Sequence, residues 1–391
     1  MSLSAKRESL ARIHGRYQRA GRPHQSRILE EFCATCGYHR KAALRLLNRP
    51  LRTAPPKRSG PKVRYDPAEV LPVLKAIWLA SDQLCSKLLQ AALPEWLEHY
   101  ERRSAPLPEA FKERLLKISP AQIDRLLRPS RVQHPKKGIS ATRPGTLLRH
   151  EVPTRGGPPN TSRPGSVEAD TVAHCDDSTE GDYVNSLTFT ELFSGWTENR
   201  AVWNKSADAV LVQLKELEKV VPYAMKDFHT DNGGEFLNWA LHRHLTGRAA
   251  KMPWTRSRAC RKNDNAHCEQ KNWTHVRQLF GHERFGHAEL VPLMNDLYAH
   301  EWSQFTNHFK PTFKLLKREK KNGRTKRIYE PQPRTPYQRL LESPDLAEAT
   351  KEKLRTQHAA LDPFGLKKSI EAKLKKFFTA LGNLDRESTK T

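Results

Sequence analysis

Three acidic residues stand in settings unusual for surface carboxylates. Asp170 falls inside Val167-Glu168-Ala169-Asp170-Thr171, an alternating run that predicts a strand. A carboxylate within a sheet is costly to bury unless a cation or another partner compensates it. Asp231 opens Asp231-Asn232-Gly233-Gly234-Glu235-Phe236, directly after an expected strand. The paired glycines let the chain turn sharply, leaving Asp231 at the strand's carboxyl end, where open α/β sheets build their sites. Glu269 lies on an expected helix and shares a helical face with Asn265, Asn272, Trp273 and Val276, so it is predicted to point at the sheet and the two aspartates. Converging carboxylates repel one another, and hard divalent cations relieve that repulsion. Two such ions ~3.5–4 Å apart can clamp the attacking and leaving oxygens of a phosphate.

The elements needed to bring the three together are visible around them. Strands are expected over 167–173, 187–192 and 197–203, with Ser194-Gly195 as a hairpin turn. An amphipathic helix over 206–221, a strand over 223–230, a helix over 234–244, a short strand over 249–252 and a long helix over 264–280 follow. This succession predicts a five-stranded mixed sheet with helices on its faces. Glu168 is expected on the opposite face of its strand.

In this order and these contexts the residues resemble a known catalytic core. His229-Thr230-Asp231-Asn232-Gly233-Gly234-Glu235-Phe236 and Asn263-Asp264-Asn265-Ala266-His267-Cys268-Glu269-Gln270-Lys271-Asn272, preceded by Asp170 on its strand, are similar to the Asp-Asp-Glu core of bacterial insertion-sequence transposases, members of the retroviral integrase superfamily. The resemblance spans about 165–285. It implies a ribonuclease-H-like fold over 166–290. It also implies two Mg²⁺ ions, with Mn²⁺ able to substitute, Asp170 bridging both and Asp231 and Glu269 each completing one site. The implied activity is metal-dependent phosphodiester hydrolysis and strand transfer on DNA. Two other readings stay open: a nuclease on the same core that cuts without joining, and a non-catalytic DNA-binding derivative.

The flanks fit a polyanionic partner. The 391 residues hold 68 Lys and Arg against 43 Asp and Glu, a net charge of +25. Residues 1–166 carry 32 basic and 13 acidic side chains, 167–290 carry 15 and 18, and 291–391 carry 21 and 12. Basic flanks that hold phosphates, around a middle whose acids hold metal, match that division. A helix-turn-helix is expected over 26–47, with Phe32, Cys36, Tyr38, Ala43 and Leu46 packing its two helices and Gly37 at the turn. Its second helix would present His39, Arg40, Lys41 and Arg45 to DNA. Helical spacing over 70–93, and Ser119-Pro120 before Ile123, Leu126 and Leu127, predict a second helical block with Gln122 and Arg125 outward. Arg256, Arg258, Arg261 and Lys262 form a basic loop before the Glu269 helix, and Lys271 lies just beyond Glu269; all are candidate DNA contacts.

The expected organisation is therefore a helix-turn-helix domain over 1–60, a second helical DNA-binding domain over 61–130 and a basic linker over 131–165. The catalytic core over 166–290 and a basic α/β extension over 291–391 complete it. The extension is read as a helix over 290–305, a basic hairpin around Asn322-Gly323 and a helical tail over 343–381. The expected partners are double-stranded DNA, both element ends and target, and a second copy of the chain, since joining two ends needs at least a dimer. No apolar run approaches the ~18 residues of a membrane span. The first 22 residues lack the apolar core of a secretory signal, and six cysteines do not make a disulfide scaffold. A cytoplasmic, nucleoid-associated protein is expected. Cys33 and Cys36 have zinc-like spacing but no matching histidine pair, and they suit the packed face of a helix. Neither a Walker phosphate loop nor a G-x-S-x-G elbow is present.

Overall fold

The computed structural model describes residues 1–51, 64–133, 153, 155, 161–248, 251–258, 265–321 and 324–388. Arg261, Lys262, the Asn322-Gly323 turn and most of the expected linker lie outside the described residues. The chain divides into two compact units, Met1–Arg64 and Tyr65–Thr391.

The first unit holds helices α1 (Leu3–Arg19), α2 (Arg22–Cys36) and α3 (Arg40–Asn48). Tyr17, Ile28, Leu29, Phe32, Cys36, Ala43 and Leu47 form its core, so Cys36 serves packing. Gly37 ends α2 at φ 65°, a left-handed conformation that glycine adopts without a Cβ penalty. His39 then starts α3, its side chain accepting from the Lys41 amide at 3.3 Å.

In the second unit, α4 (Pro67–Ala80), α5 (Ser86–Arg103), α6 (Glu109–Leu116) and α7 (Pro120–Gln133) precede the sheet. Strands β1 (Ser166–Ala173), β2 (Val184–Glu191) and β3 (Thr197–Trp203) form an antiparallel meander. After α8 (Ala207–Val220), β4 (Asp227–Thr230) runs parallel to β1. After α9 (Trp239–Thr246), β5 (Trp254–Arg256) runs parallel to β4. The order β3-β2-β1-β4-β5 is the five-stranded mixed sheet with helices that the pattern predicts.

Boundaries moved where local chemistry overrode apolar spacing. The helix after β4 starts at Trp239 rather than 234, because Gly233 and Gly234 remain in the turn and Asn238 caps the helix by accepting from the Leu241 amide at 2.9 Å. The fifth strand begins after Pro253, at Trp254; of the expected 249–252 strand, Lys251 and Met252 lie outside it, and 249 and 250 are outside the described residues. The long Glu269 helix is α10 (Ala266–Lys271), running on through a π-helical turn (Asn272–Arg277) into a short α11 (Gln278–Phe280). Beyond it come α12 (Leu290–Leu297), a second π turn (Tyr298–Trp302) and α13 (Ser303–Phe309). The paired strands β6 (Leu315–Lys321) and β7 (Arg324–Tyr329) follow, and α14 (Pro336–Glu342), α15 (Glu348–Ala359) and α16 (Pro363–Ser388) end the described chain.

Two layers of apolar side chains hold this unit together. Val167, Ala169, Leu187 and Phe189 pack with Leu214, Phe236, Leu241 and Leu340 on one face of the sheet. On the other, α4 to α7 share a core with α12, α13 and α16, so the second helical block is built into the same unit as the sheet. Trp96 of α5 meets Phe305, Phe309 and Phe364 edge-on there. Phe377 of α16 lies 4.9 Å from both Phe280 and Phe285, centroid to centroid, clamping the end of the Glu269 helix. Among the described residues no helix is long and apolar enough to cross a membrane. Phe377→Ala is expected to destabilise the protein by about 3–5 kcal/mol, read as a lower urea midpoint; an unchanged midpoint would mean that α16 is not part of this core.

Candidate active site

The pairing of β1 with β4 brings the two aspartates together. Ala169 stands opposite Thr230 in parallel register. The next position carries Asp170 on one strand and Asp231 just past the end of the other. The Thr171 amide donates to Asp170 Oδ1 at 2.9 Å, and the Asn272 side chain donates to Oδ2 at 2.7 Å. The Gly233 amide donates to Asp231 Oδ1 at 2.9 Å, closing the turn over the strand end. Burial, then the charge of Asp231 and more weakly that of Glu269, push the Asp170 pKa up to about 8. Burial and then the Glu235 carboxylate raise Asp231 to about 6.

The helix carrying Glu269 is tied to β1 by its neighbours. The Asn265 side chain donates to the Ala169 carbonyl at 3.3 Å, and Cys268 Sγ donates to the Glu168 carbonyl at 3.0 Å. Cys268 therefore occupies the sheet-facing position expected for Glu269, and Glu269 is exposed at the rim. Trp273, expected to pin the same face, is 36% exposed. The π turn accounts for part of the shift: its wider spacing passes the inward face from Asn265, Cys268 and Asn272 to His275 and Val276. Glu269 still lies close enough to raise the Asp170 pKa.

Two further acids surround the pair. Glu168 is two residues from Asp170 and so shares its face rather than the opposite one; it is buried and held by Arg155 at 2.7 Å. Glu235, given no role in the sequence reading, is buried beside Asp231. Thr171 Oγ1 donates to it at 2.6 Å, and Lys205 Nζ lies 3.4 Å away. A Cβ on Gly233, the first glycine of the pair, would meet the Glu235 carboxylate, which would have to shift. Its signal was its place inside the Asp231 motif.

Side-by-side carboxylates whose pKa values are raised form a donor set suited to a hard divalent cation. Asp170 and Asp231 fit that description. Among the described residues, no three His, Cys, Asp or Glu side chains are grouped so as to hold one ion, because Glu269 sits outside the pair.

The basic candidates fall into separate places. His39, Arg40, Lys41 and Arg45 are exposed on α3 of the first unit, with Arg40 3.6 Å from Glu30. Gln122 and Arg125 lie on the outer side of α7, bonded to each other at 3.1 Å. Arg256 donates to the Asn232 side chain at 3.0 Å, next to Asp231, and Arg258 is exposed beyond β5. Lys271 is on the other flank of α10 and lines a separate cavity, where burial and the Arg339 and Lys310 charges lower its pKa to about 7.

No family model matches the sequence. The uncharacterized protein y4rM of Sinorhizobium fredii is 36% identical over 343 residues, spanning 85% of this chain and 94% of that protein. The chain belongs to the y4rM family. Among solved structures, the HTLV-2 integrase catalytic core domain in complex with magnesium is similar over 39% of this chain and 92% of its own, at 13% identity and a TM-score of 0.29. A simian T-cell lymphotropic virus intasome bound to the PP2A regulatory subunit B56 gamma is similar over 64% of this chain and 75% of its own, at 13% identity and a TM-score of 0.31.

The electrostatics make a prediction for the metal-free protein. Asp170 has a higher pKa folded than unfolded, so the stability present below about pH 4 is lost as pH rises through about 8. Asp170→Asn removes that pH-dependent destabilisation. It is expected to raise the Tm by about 2–4 °C at alkaline pH and to change it little in acid. Melting curves that shift equally at both pH values would show that Asp170 is not held against repulsion.

Proposed function

We propose that this chain is a DNA transposase: it binds the ends of a mobile element, hydrolyses a phosphodiester and directs the exposed 3′-hydroxyl at target DNA. The observation that carries the reading is the pair Asp170 and Asp231, set in step on adjacent parallel strands, Asp170 within β1 and Asp231 just past the end of β4, with the Glu269 helix fastened beside them. Asp170, Asp231 and Glu269 would hold the divalent cations, Mg²⁺ or Mn²⁺, with the Glu269 side chain turning in from the rim. When bound, the cations supply the positive charge that neutralises the developing charge on phosphate oxygens.

The chain's own groups do the rest. Asn272 fixes one Asp170 oxygen, so the carboxylate presents a constant edge to the site. Glu235, tied to Thr171 and Lys205, keeps the Asp231 turn in place. Arg256, bonded to Asn232 next to Asp231, and Arg258 beyond β5 would meet the phosphates of an incoming strand. Arg40, Lys41 and Arg45 of α3, with His39 at its start, would dock the element end through a major groove. Gln122, Arg125, Arg261 and Lys262 would add contacts along the duplex. Water and then a DNA hydroxyl serve as nucleophiles, so no covalent protein intermediate is needed. Joining two ends requires at least a dimer on DNA.

Strand transfer on end-containing duplexes with Mg²⁺ tests this directly. Asp170→Asn, Asp231→Asn and Glu269→Gln are each expected to lower joining by at least about a thousandfold while still shifting end DNA. Arg40→Ala with Arg45→Ala is expected to weaken end binding, by about 1–3 kcal/mol for each base edge that the guanidinium no longer reads. Full joining by any carboxylate variant would remove that residue from the mechanism, and cleavage without joining by the wild type would identify a nuclease.

A further inference from the structure

Behind the Glu269 helix lies a second chamber, a cavity of ~790 Å³. It falls within the ~300–1,000 Å³ range of pockets that enclose a small ligand. Its walls come from the far flank of α10, the β2–β3 hairpin, the segment after α13 and strand β7. They carry an excess of cations. Lys310 is paired with Asp82 at 2.9 Å, and Arg339 with Glu330. Glu191, an acid on the same wall, is already committed to the hairpin, accepting from the amides of Phe193 and Ser194 and the Ser194 hydroxyl. The side chains of Lys271 and Arg327 make no hydrogen bond or ion pair with any described residue. An amine and a guanidinium facing one cavity without counter-charges call for an anion.

The same walls expose aromatic rings. Phe313 is 37% and Tyr329 45% exposed, in edge-to-face contact at 6.2 Å. Lys314 Nζ lies 4.2 Å from the centre of the Phe193 ring. Aromatic faces beside unpaired cations are the chemistry that holds unstacked bases and their phosphates. A duplex, whose bases are already stacked, gains little from it.

We propose that this cavity binds an unpaired nucleotide of the DNA substrate, its base against Phe313 and Tyr329 and its phosphate met by Lys271 and Arg327. The proposal rests on the reading of the chain as acting on DNA. Glu269 and Lys271 lie on opposite flanks of α10, so a strand separated from its complement beside the carboxylates has one helix to cross before entering.

The test uses the full-length protein and fluorescence anisotropy, with labelled oligothymidylate compared with a blunt duplex. Phe313→Ala and Tyr329→Ala are each expected to weaken oligothymidylate binding about tenfold. Lys271→Gln should lower its logarithmic salt dependence by about 0.7. All three should leave duplex binding within about twofold and the circular dichroism spectrum unchanged. Tyr329→Phe keeps the ring and should bind as wild type. Unchanged oligothymidylate binding in the alanine variants, an equal weakening on duplex, failure of Tyr329→Phe, or tighter binding of oligouridylate would each overturn the proposal. Cleavage of end DNA with Mg²⁺, measured in parallel, separates this from the transposase reading. Cleavage that requires Asp170, with normal oligothymidylate binding by the alanine variants, sinks the cavity alone. Failure of those variants to bind oligothymidylate, with no cleavage by the wild type, sinks the transposase alone.

Discussion

Two carboxyl groups held next to each other and away from water, which cannot both ionise without repulsion, are the constraint around which the second unit is built. Parallel pairing of β1 and β4 leaves Asp170 and Asp231 at neighbouring positions, and desolvation raises the cost of ionising both. Hydrogen bonds from Thr171, Asn272 and Gly233 offset only part of that cost. A sheet stabilised for its own sake would place apolar side chains here, as β1 does on its other face with Val167 and Ala169. Keeping two carboxylates instead costs stability that a bound cation can return.

The surrounding layers make that arrangement rigid. α10 is fastened to β1 by Asn265 and Cys268, and its far end is clamped by Phe377 against Phe280 and Phe285. The helix thereby becomes a wall with an acidic rim on one flank and a cationic, aromatic cavity on the other. The charge separation counted along the sequence, acids in the middle and bases in the flanks, is repeated here at the scale of a single helix. Lys271 lies on α10 itself, whereas Lys310, Lys314 and Arg327 come from beyond residue 290.

What was legible in the sequence follows from how local each feature is. The strands bearing Asp170 and leading to Asp231, the sheet composition and the turn at Gly37 were readable because alternation, glycine pairs and apolar spacing act over a few residues. The orientation of Glu269 was not: a wheel of constant pitch cannot anticipate the π turn at Asn272–Arg277 or the bonds that draw Cys268 onto the sheet. Glu168, expected on the opposite face, shares the face of Asp170, because side chains two apart on a strand point the same way. Glu235 lies within the Asp231 motif, yet its setting depends on Thr171 and Lys205, each brought in from elsewhere in the chain. Incorporation of α4 to α7 into the core with α16 depends on contacts between residues more than two hundred positions apart, such as the Trp96 indole donating to the Phe309 carbonyl at 3.4 Å. No local pattern encodes such a contact.

The central claim is that Asp170 and Asp231 repel each other until a divalent cation joins them. Calorimetric titration of the protein with Mn²⁺, in buffers of different ionisation enthalpy near neutral pH, tests it most directly. Saturable binding by the wild type, accompanied by proton release and abolished in Asp170→Asn with Asp231→Asn, is the predicted result. Equal Mn²⁺ binding by the doubly substituted protein, or binding without proton release, would contradict the account.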